Sequence, residues 1–318
     1  MITIDKMVGK KTSYAKPSCS SLPYIKGISQ YQTQNEWLDV AINASEGKLP
    51  EHKEQTLTQY MGDLLEPVLC NFAAELLGLS FVKTDHEEPV HHQYLPLSGS
   101  LDASGVADNL TFKQGDNENI IIPEQKKITL DGPGVIECKC TRNPFTPELE
   151  EWRGVLQSKG LMECTGWNWA AVVVLWQSTD FRIYLYERKE PFKKELEELV
   201  LDCDYRIKNK KYYNPVSSND ANIKYQNINK DIVSLEHEAD NLCRTIMNAK
   251  DSIKLAQETI DKAEIKLKEL IQDAEIGRTN QYEIKWPMIN YKAQPEKIVP
   301  AKDARQVRAK TLRIKKYE

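Results

Sequence analysis

The sequence predicts an α/β fold, in which a mixed central sheet is flanked by helices and followed by a long helical arm. Apolar residues recur first at helical spacing, then in short strand-like runs, and finally in a heptad repeat. This order of strands and helices is typical of a sheet covered by helices on its faces. The predicted elements are a helix at 59–77, strands at 90–97, 101–107 and 134–141, a helix at 147–164, strands at 170–176 and 181–186, and a helix at 191–209.

The first helix contains a proline. Pro67 has no amide hydrogen to donate, so the helix either begins near Gly62 or kinks at the proline. In both cases Glu66 lies at a helix start or at a kink.

An insert rich in Asp, Asn and Lys occupies residues 109–133, between two of the predicted strands. It ends in a turn signal, Asp131-Gly132-Pro133-Gly134. If the insert forms a hairpin, strands 101–107 and 134–141 meet. If it does not, residues at the two ends stay apart.

The C-terminal half predicts a coiled coil, because apolar residues alternate three and four positions apart without an interrupting Gly or Pro. The arm is either one helix or a hairpin that reverses near 248–252. We expect three regions: a domain at 1–212, the arm at 217–276 and a basic segment at 277–318. The basic segment is solvated, faces DNA or packs on the domain at 1–212. The heptad residues are Ile228, Ile232, Leu235, Ala239, Leu242, Ile246, Ala249, Ile253, Ala256, Ile260, Ala263, Leu267 and Leu270.

Composition restricts the class of protein. The chain has 318 residues, of which 40% are hydrophobic and 28% charged, as in ordinary globular proteins. We expect no membrane span, because no apolar run approaches about 20 residues, and no secretory signal at the N-terminus. Seven scattered cysteines favour the reducing cytoplasm. A net charge of −4 argues against non-specific coating of nucleic acid.

The run Val135-Ile136-Glu137-Cys138-Lys139-Cys140 carries the chemistry. Alternate side chains of a strand share a face, so Glu137 and Lys139 face one side and Cys138 the other. With Asp102 from a neighbouring strand, Glu137 supplies carboxylate oxygens for Mg²⁺, and the backbone carbonyl of Cys138 is a plausible third ligand. Lys139 would orient a water or stabilise negative charge. Alone the pattern is weak, since such pairs also occur as surface ion pairs.

Further motifs in the same order make the pattern specific. Gly62–Pro67, Ser100–Ala103, Ile136–Lys139 and Gln157, followed by Thr165-Gly166-Trp167, resemble the YqaJ-type viral recombinase family, which contains the phage lambda exonuclease. This family belongs to the PD-(D/E)xK nucleases. The upstream run Ser18–Pro23 looks like its N-terminal signature.

The resemblance implies a PD-(D/E)xK nuclease core acting as a 5′-to-3′ exonuclease on double-stranded DNA ends. It implies a 3′ single strand passed to an annealing protein, a homo-oligomer that is ring-shaped in some members, and a phage or prophage origin. The implied site has Asp102 and Glu137 as ligands of Mg²⁺, or of Mn²⁺ in its place, and Lys139 as catalytic lysine. Glu66 would assist metal or water binding, as a further ligand in one version of the site, and Gln157 would organise the lysine or the bound water. The DNA-binding candidates are Ser18, Lys16 and Lys11.

Two other functions remain open on the sequence. A restriction- or repair-type endonuclease would share the metal site but cut internally. A non-catalytic adaptor would use the coiled coil alone. An iron–sulfur cluster is not expected, because Cys164, Cys203 and Cys243 are too dispersed to act as grouped ligands.

Overall fold

A computed structural model describes residues 12–51, 55–226 and 231–289. The chain divides into two compact units, the first ending at Tyr225 and the second beginning at Gln226. Lys11 and the basic residues of 297–316 lie outside the described residues.

Helices of the first unit cover both faces of a sheet. They are α1 (Leu22–Ile25), α2 (Gln34–Ser45), α3 (Leu57–Leu77), α4 (Leu156–Thr165), α5 (Glu190–Asn209) and α6 (Ser218–Lys224). No helix in the described part of the chain is both long and apolar enough to cross a bilayer.

The central sheet, as far as the described residues show, has six strands in the order β1-β4-β6-β7-β8-β5. It is mixed, because β6–β7 and β5–β8 are parallel while the other neighbours are antiparallel. The predicted α/β class with a mixed sheet is therefore confirmed. The strands of this unit are β1 (Phe81–Lys83), β2 (Val90–His91), β3 (Ser98–Gly99), β4 (Ala103–Lys113), β5 (Ile120–Ile121), β6 (Lys127–Thr141), β7 (Trp169–Trp176) and β8 (Asp180–Glu187).

The insert is a hairpin. Strands β4 and β6 pair from Ala103↔Ile136 out to Lys113↔Lys127, with a register shift after Ala107. The hairpin therefore brings together β4 and β6, which the sequence alone did not show to be paired. Its short strand β5 returns to the sheet and pairs with β8, a contact that the sequence did not predict.

Two apolar layers lie on opposite faces of the sheet. Helices α1 and α4 pack on one face, where Leu22, Leu156 and Leu161 meet Val135 and Val172. Helix α3 covers the other face. Its contacts there are Leu69, Cys70, Ala73 and Leu77 against Ile136, Cys138 and Val173. The buried apolar residues of β6 thus divide between the two layers by parity, with Val135 in one and Ile128, Leu130, Ile136 and Cys138 in the other.

Two predicted helices differ from those observed. Helix α3 runs through Pro67 and begins at Leu57, because Thr56 and Gln59 cap its N-terminus reciprocally. The helix predicted at 147–164 begins at Leu156, because Arg153 and Gly154 have non-helical backbone angles. The predicted strand at 90–97 is reduced to β2.

Helix α6 starts in the predicted arm but packs with the first unit. Its Asp220 is buried and accepts hydrogen bonds from the Thr33 hydroxyl and, at 3.1 Å, from the amide of Val216. The contact attaches α6 to α2.

The second unit contains one long helix, α7 (His237–Ile271), and the hairpin of β9 (Ile276–Arg278) and β10 (Glu283–Lys285). The helix does not reverse near 248–252. Of the heptad residues before it, Ile228 lies outside the described residues, and Ile232 and Leu235 are exposed and not helical.

We predict that Gly134→Ala destabilises the protein, because a Cβ at this position would lie 2.1 Å from two ring atoms of the buried Trp169. Overpacking of this kind costs about 1–3 kcal/mol. Gly62→Ala is the control, since the space around Gly62 in α3 is open and Ala favours a helix by about 1 kcal/mol. Thermal unfolding should show a lower Tm for the first variant and an unchanged or higher Tm for the second. Equal Tm values would contradict the packing at Gly134.

Candidate functional site

The site is built on β6, where polar residues interrupt a buried strand. Glu137 and Lys139 face the layer of α4, while Cys138 packs against α3. This is the division of faces that the sequence predicted. The strand is paired in parallel with β7 through Glu137↔Val172 and Lys139↔Val174, so its position is fixed along this segment.

Asp102 is the residue immediately before β4, and its side chain forms part of the site. Its Oδ2 accepts a hydrogen bond of 2.9 Å from the backbone N–H of Cys138. The β4–β6 ladder ends at Ala103↔Ile136, so Asp102 takes the place of a strand partner at Cys138. Since the N–H and C=O of a strand residue point to the same edge, the Cys138 carbonyl projects toward the side of β6 that Asp102 occupies.

Glu137 has an unusual environment for a carboxyl group. Its side chain is fully buried. Burial raises its pKa well above the ordinary value, and the nearby Asp102 carboxylate raises it further, while Lys139 opposes the shift. Oε1 accepts a hydrogen bond from Lys139 Nζ, whereas Oε2 is buried without a hydrogen-bond partner. A buried oxygen of this kind is costly unless a cation or donor satisfies it.

Lys139 is the cation beside the two carboxyl groups. Burial lowers its pKa, but the charges of Glu137 and Asp102 outweigh this effect and raise the pKa above the ordinary value. The ammonium is therefore charged at neutral pH. Its side chain remains 33% exposed, so a ligand from solvent can reach it.

An irregular turn at Glu151–Val155 closes one side of the site. Gly154 has φ +85°, and a Cβ there would lie 3.4 Å from both Glu137 Cγ and Lys139 Cε. Arg153 holds the turn, since its guanidinium lies 4.4 Å from the ring centroid of Trp152 and pairs with Glu150 at 3.0 Å. The sequence analysis missed Gly154, although a glycine inside the helix predicted at 147–164 was a usable signal.

Tyr24 of α1 is a second residue that the sequence analysis missed. Burial raises the pKa of its phenol, and the charge of Lys139 acts in the opposite direction. The phenol is thus within electrostatic reach of the Lys139 ammonium and is half-buried. No pattern in the sequence separated this tyrosine from the others.

Two other predicted site residues, Gln157 and Glu66, lie on the helices that cover the two faces of β6. Gln157 is half-buried at the start of α4, three residues after Gly154, on a helix that packs against β6. Glu66 is half-buried on α3, which covers the opposite face of β6. Across the described ranges, no group of three or more His, Cys, Asp and Glu side chains could hold one metal ion. The role of Glu66 beside Asp102 and Glu137 stays a prediction.

The DNA-binding candidates lie near the N-terminus of the described chain. Ser18 is fully buried, and its backbone carbonyl accepts a 2.7 Å hydrogen bond from the Ser21 hydroxyl. A contact between the Ser18 side chain and DNA would require this turn to open. Lys16 is exposed, and Lys11 lies outside the described residues.

The residues fit a hard divalent cation. Asp102 and Glu137 supply carboxylate oxygens, Glu137 Oε2 lacks a partner, and the Cys138 carbonyl points to the same side. Ions such as Mg²⁺ prefer oxygen ligands and keep several waters, so two carboxylates are enough protein ligands for one ion.

Solved structures with similar folds include two exonucleases. The alkaline exonuclease LHK-Exo from Laribacter hongkongensis has 16% identity over 62% of this chain and 90% of its own, with a TM-score of 0.43, or 0.44 in its complex with dAMP. A phage-related exonuclease from Haemophilus somnus has 14% identity over 61% of this chain and 94% of its own, with a TM-score of 0.43. Both are exonucleases by name. No protein-family model and no curated protein matches the sequence. Because similarity at this level does not transfer an activity, the chemistry of this chain must follow from its own residues.

We predict that Mg²⁺ or Mn²⁺ raises the Tm of the protein and that Glu137→Gln or Asp102→Asn removes this shift. A ligand at 100 times its Kd stabilises the folded state by about 2.7 kcal/mol. Glu163→Gln is the control, because Glu163 is also buried but pairs with Arg188 at 2.8 Å. This variant should keep the shift. A shift that survives in Glu137→Gln would place the metal elsewhere.

We predict that Gly154→Ala weakens the same metal-induced shift. Gly154 and Gly166 both have positive φ, so alanine strains the backbone at either position by roughly 1–2 kcal/mol. Near Gly154, however, a Cβ would press on Val172 at 3.2 Å and touch Glu137 at 3.4 Å, whereas the space at Gly166 is open. Calorimetry with and without Mn²⁺ should show a normal shift for Gly166→Ala and a reduced shift for Gly154→Ala. Equal shifts would exclude Gly154 from the site.

Proposed function

We propose that this chain is a metal-dependent nuclease that hydrolyses DNA phosphodiesters. The observation that carries the proposal is the buried Glu137 carboxylate, which has one oxygen on Lys139, one oxygen without a partner, and a second carboxylate, Asp102, beside it. An ordinary surface ion pair does not bury its carboxylate in this way. Burial of the carboxylate is expected at a site that binds a cation and then an anionic phosphate.

The proposed roles follow from the positions of the groups. Asp102 and Glu137 hold Mg²⁺, with the Cys138 carbonyl as a further ligand. The ion, when bound, neutralises charge on the phosphoryl oxygens and lowers the pKa of a coordinated water. Lys139 carries a full positive charge and is partly exposed, so it can stabilise negative charge that develops on the phosphate.

Neighbouring groups orient these residues. The Asp102 hydrogen bond to the Cys138 amide fixes the first carboxylate against β6. The turn at Gly154 lies directly over the two side chains, since a Cβ there would touch Glu137 Cγ and Lys139 Cε at 3.4 Å. Gln157 follows this turn, and we propose that it orients Lys139 or the attacking water. Glu66 is proposed to assist metal or water binding from α3.

The finer proposal is a 5′-to-3′ exonuclease that acts on double-stranded DNA ends and leaves 3′ single strands for an annealing protein. It rests on the ordered motifs around Glu66, Asp102, Glu137, Lys139 and Gln157. The same motifs support a cytoplasmic protein of phage or prophage origin that forms a homo-oligomer. Lys16 is the described lysine that remains available near the N-terminal signature.

The test is digestion of linear double-stranded DNA, labelled separately at its 5′ and 3′ ends, with Mg²⁺ present. We expect early loss of the 5′ label as mononucleotide, and no cutting of a closed circle. Lys139→Ala should reduce the rate by about 100-fold or more, the scale of losing one transition-state cation or donor. Lys159→Ala should keep the rate, because Lys159 pairs with Glu124 outside the site.

Other outcomes would replace the proposal. Cutting of the closed circle would mean an endonuclease with the same metal site. No cutting by the folded wild-type protein would favour a non-catalytic adaptor. Equal activity of Lys139→Ala and Lys159→Ala would exclude Lys139 from the reaction.

A further inference from the structure

Helix α7 exposes an apolar stripe along its whole length. The helix has 35 residues and buries none of them. It would extend over roughly 52 Å at about 1.5 Å per residue. Large side chains recur on one side of it, and contiguous apolar surface of this size is rare on a protein that works alone. The exposed members of the stripe include Leu242, Ile253, Ile260, Leu267 and Leu270.

The stripe follows a heptad pattern in which large and small residues alternate. At the first core position, a, the helix carries Ala239, Ile246, Ile253, Ile260 and Leu267. At the second core position, d, it carries Leu242, Ala249, Ala256, Ala263 and Leu270. In the three central heptads every a residue is therefore isoleucine and every d residue is alanine.

This alternation selects an orientation for a second copy of the same helix. In a parallel pair a faces a and d faces d, so layers of two isoleucines would alternate with layers of two alanines. The wide layers would hold the axes apart and leave cavities at the alanines, which are costly. In an antiparallel pair a faces d, and each central layer contains one isoleucine and one alanine. The two axes can then keep one constant separation.

We propose that two copies of this chain associate through α7 as an antiparallel coiled coil with full overlap of the two helices. Ile253 then packs on Ala256 of the second copy, Ile246 on Ala263 and Ile260 on Ala249. At the ends Ala239 meets Leu270, and Leu242 meets Leu267. All ten core residues of the helix are covered in this register.

The a and d residues form the seam of the proposed pair. The residues that flank this seam fit a second copy better than a strongly charged partner. Five of the eight flanking residues in the central part are uncharged: Cys243, Thr245, Ser252, Gln257 and Thr259. In the antiparallel register Lys250 lies opposite Gln257, and Lys266 lies opposite Thr245. No like charges meet across the seam, so nothing opposes self-association.

The end of the helix is occupied by its own hairpin. Gly277 of β9 lies against Ile271, since a Cβ there would be 3.0 Å from Ile271 Cγ1, and Lys268 Nζ lies 5.7 Å from the ring centroid of Trp286. These contacts involve residues outside the a and d positions. They fix the C-terminal end of α7, and among the described residues they do not cover its a and d positions.

The association is tested by sedimentation equilibrium of the full chain. The wild-type protein should have twice the 36.5 kDa mass of one chain. A variant with Ile253→Lys and Ile260→Lys should have the mass of one chain, because each lysine would place a charge in the seam. The matched control has Leu255→Lys and Ile265→Lys, which lie off the seam on the same helix.

The control positions are as exposed as the seam positions: Leu255 is 66% and Ile265 57% exposed, against 69% for Ile253 and 51% for Ile260. Circular dichroism should show the same helix content for both variants, which separates lost association from lost folding. A monomeric wild-type protein overturns the proposal. Loss of the dimer in the off-seam control, or its survival in the seam variant, overturns it too.

The orientation is tested by cysteine cross-linking in a background with Cys140→Ser and Cys243→Ser. Chains with Ile246→Cys are mixed with chains with Ala263→Cys and oxidised with glutathione disulfide. Cross-linked dimer in the mixture, but not in either protein alone, supports the antiparallel register. Cross-linking of each protein with itself indicates a parallel pair, and no cross-link in any sample excludes the register; both overturn the proposal. These outcomes do not depend on nuclease activity, so they are separate from the proposed hydrolysis of DNA.

Discussion

The buried carboxylate of Glu137 is the constraint on which the rest of the first unit depends. Removing a charge from water costs several kcal/mol unless a partner compensates for it. Here Lys139 satisfies one oxygen, while Asp102, a like charge, makes ionisation harder. The parallel ladder with β7 on one edge of β6, and the Asp102 hydrogen bond on the other, hold in place the strand that carries this carboxylate.

Each neighbouring element contributes one condition to the site. The β4–β6 hairpin returns Asp102 to Cys138 across a long insert. The turn before α4 brings a glycine over the two charged side chains, and the stacked Arg153 keeps that turn in place. Helix α3 packs Leu69 and Cys70 against Cys138 on the reverse face. One face of β6 can therefore carry the charged residues of the site, because its other face packs in the apolar core.

The two units differ in how their apolar residues are covered. In the first unit, strands such as β7 are buried almost throughout. In the second unit, α7 also carries apolar residues along one side, but none of its residues is buried. A helix of this kind gains most of its stability from packing of its apolar face rather than from intrinsic propensity. The alternation of isoleucine and alanine makes a second α7 a well-matched cover, because each large residue meets a small one.

The sequence by itself determined the elements that depend on local pattern. It predicted β7, β8 and α5 within a residue or two, and the shared face of Glu137 and Lys139, because strand and helix periodicity follow from backbone geometry alone. Only the tertiary structure decided that the insert is a hairpin, that α3 continues through Pro67, and that Arg153 and Gly154 delay the start of the helix predicted at 147–164 to Leu156. These outcomes depend on contacts between residues distant in the chain, such as Asp102 with Cys138, or on a single backbone angle at Gly154. Neither leaves a periodic signal in the sequence.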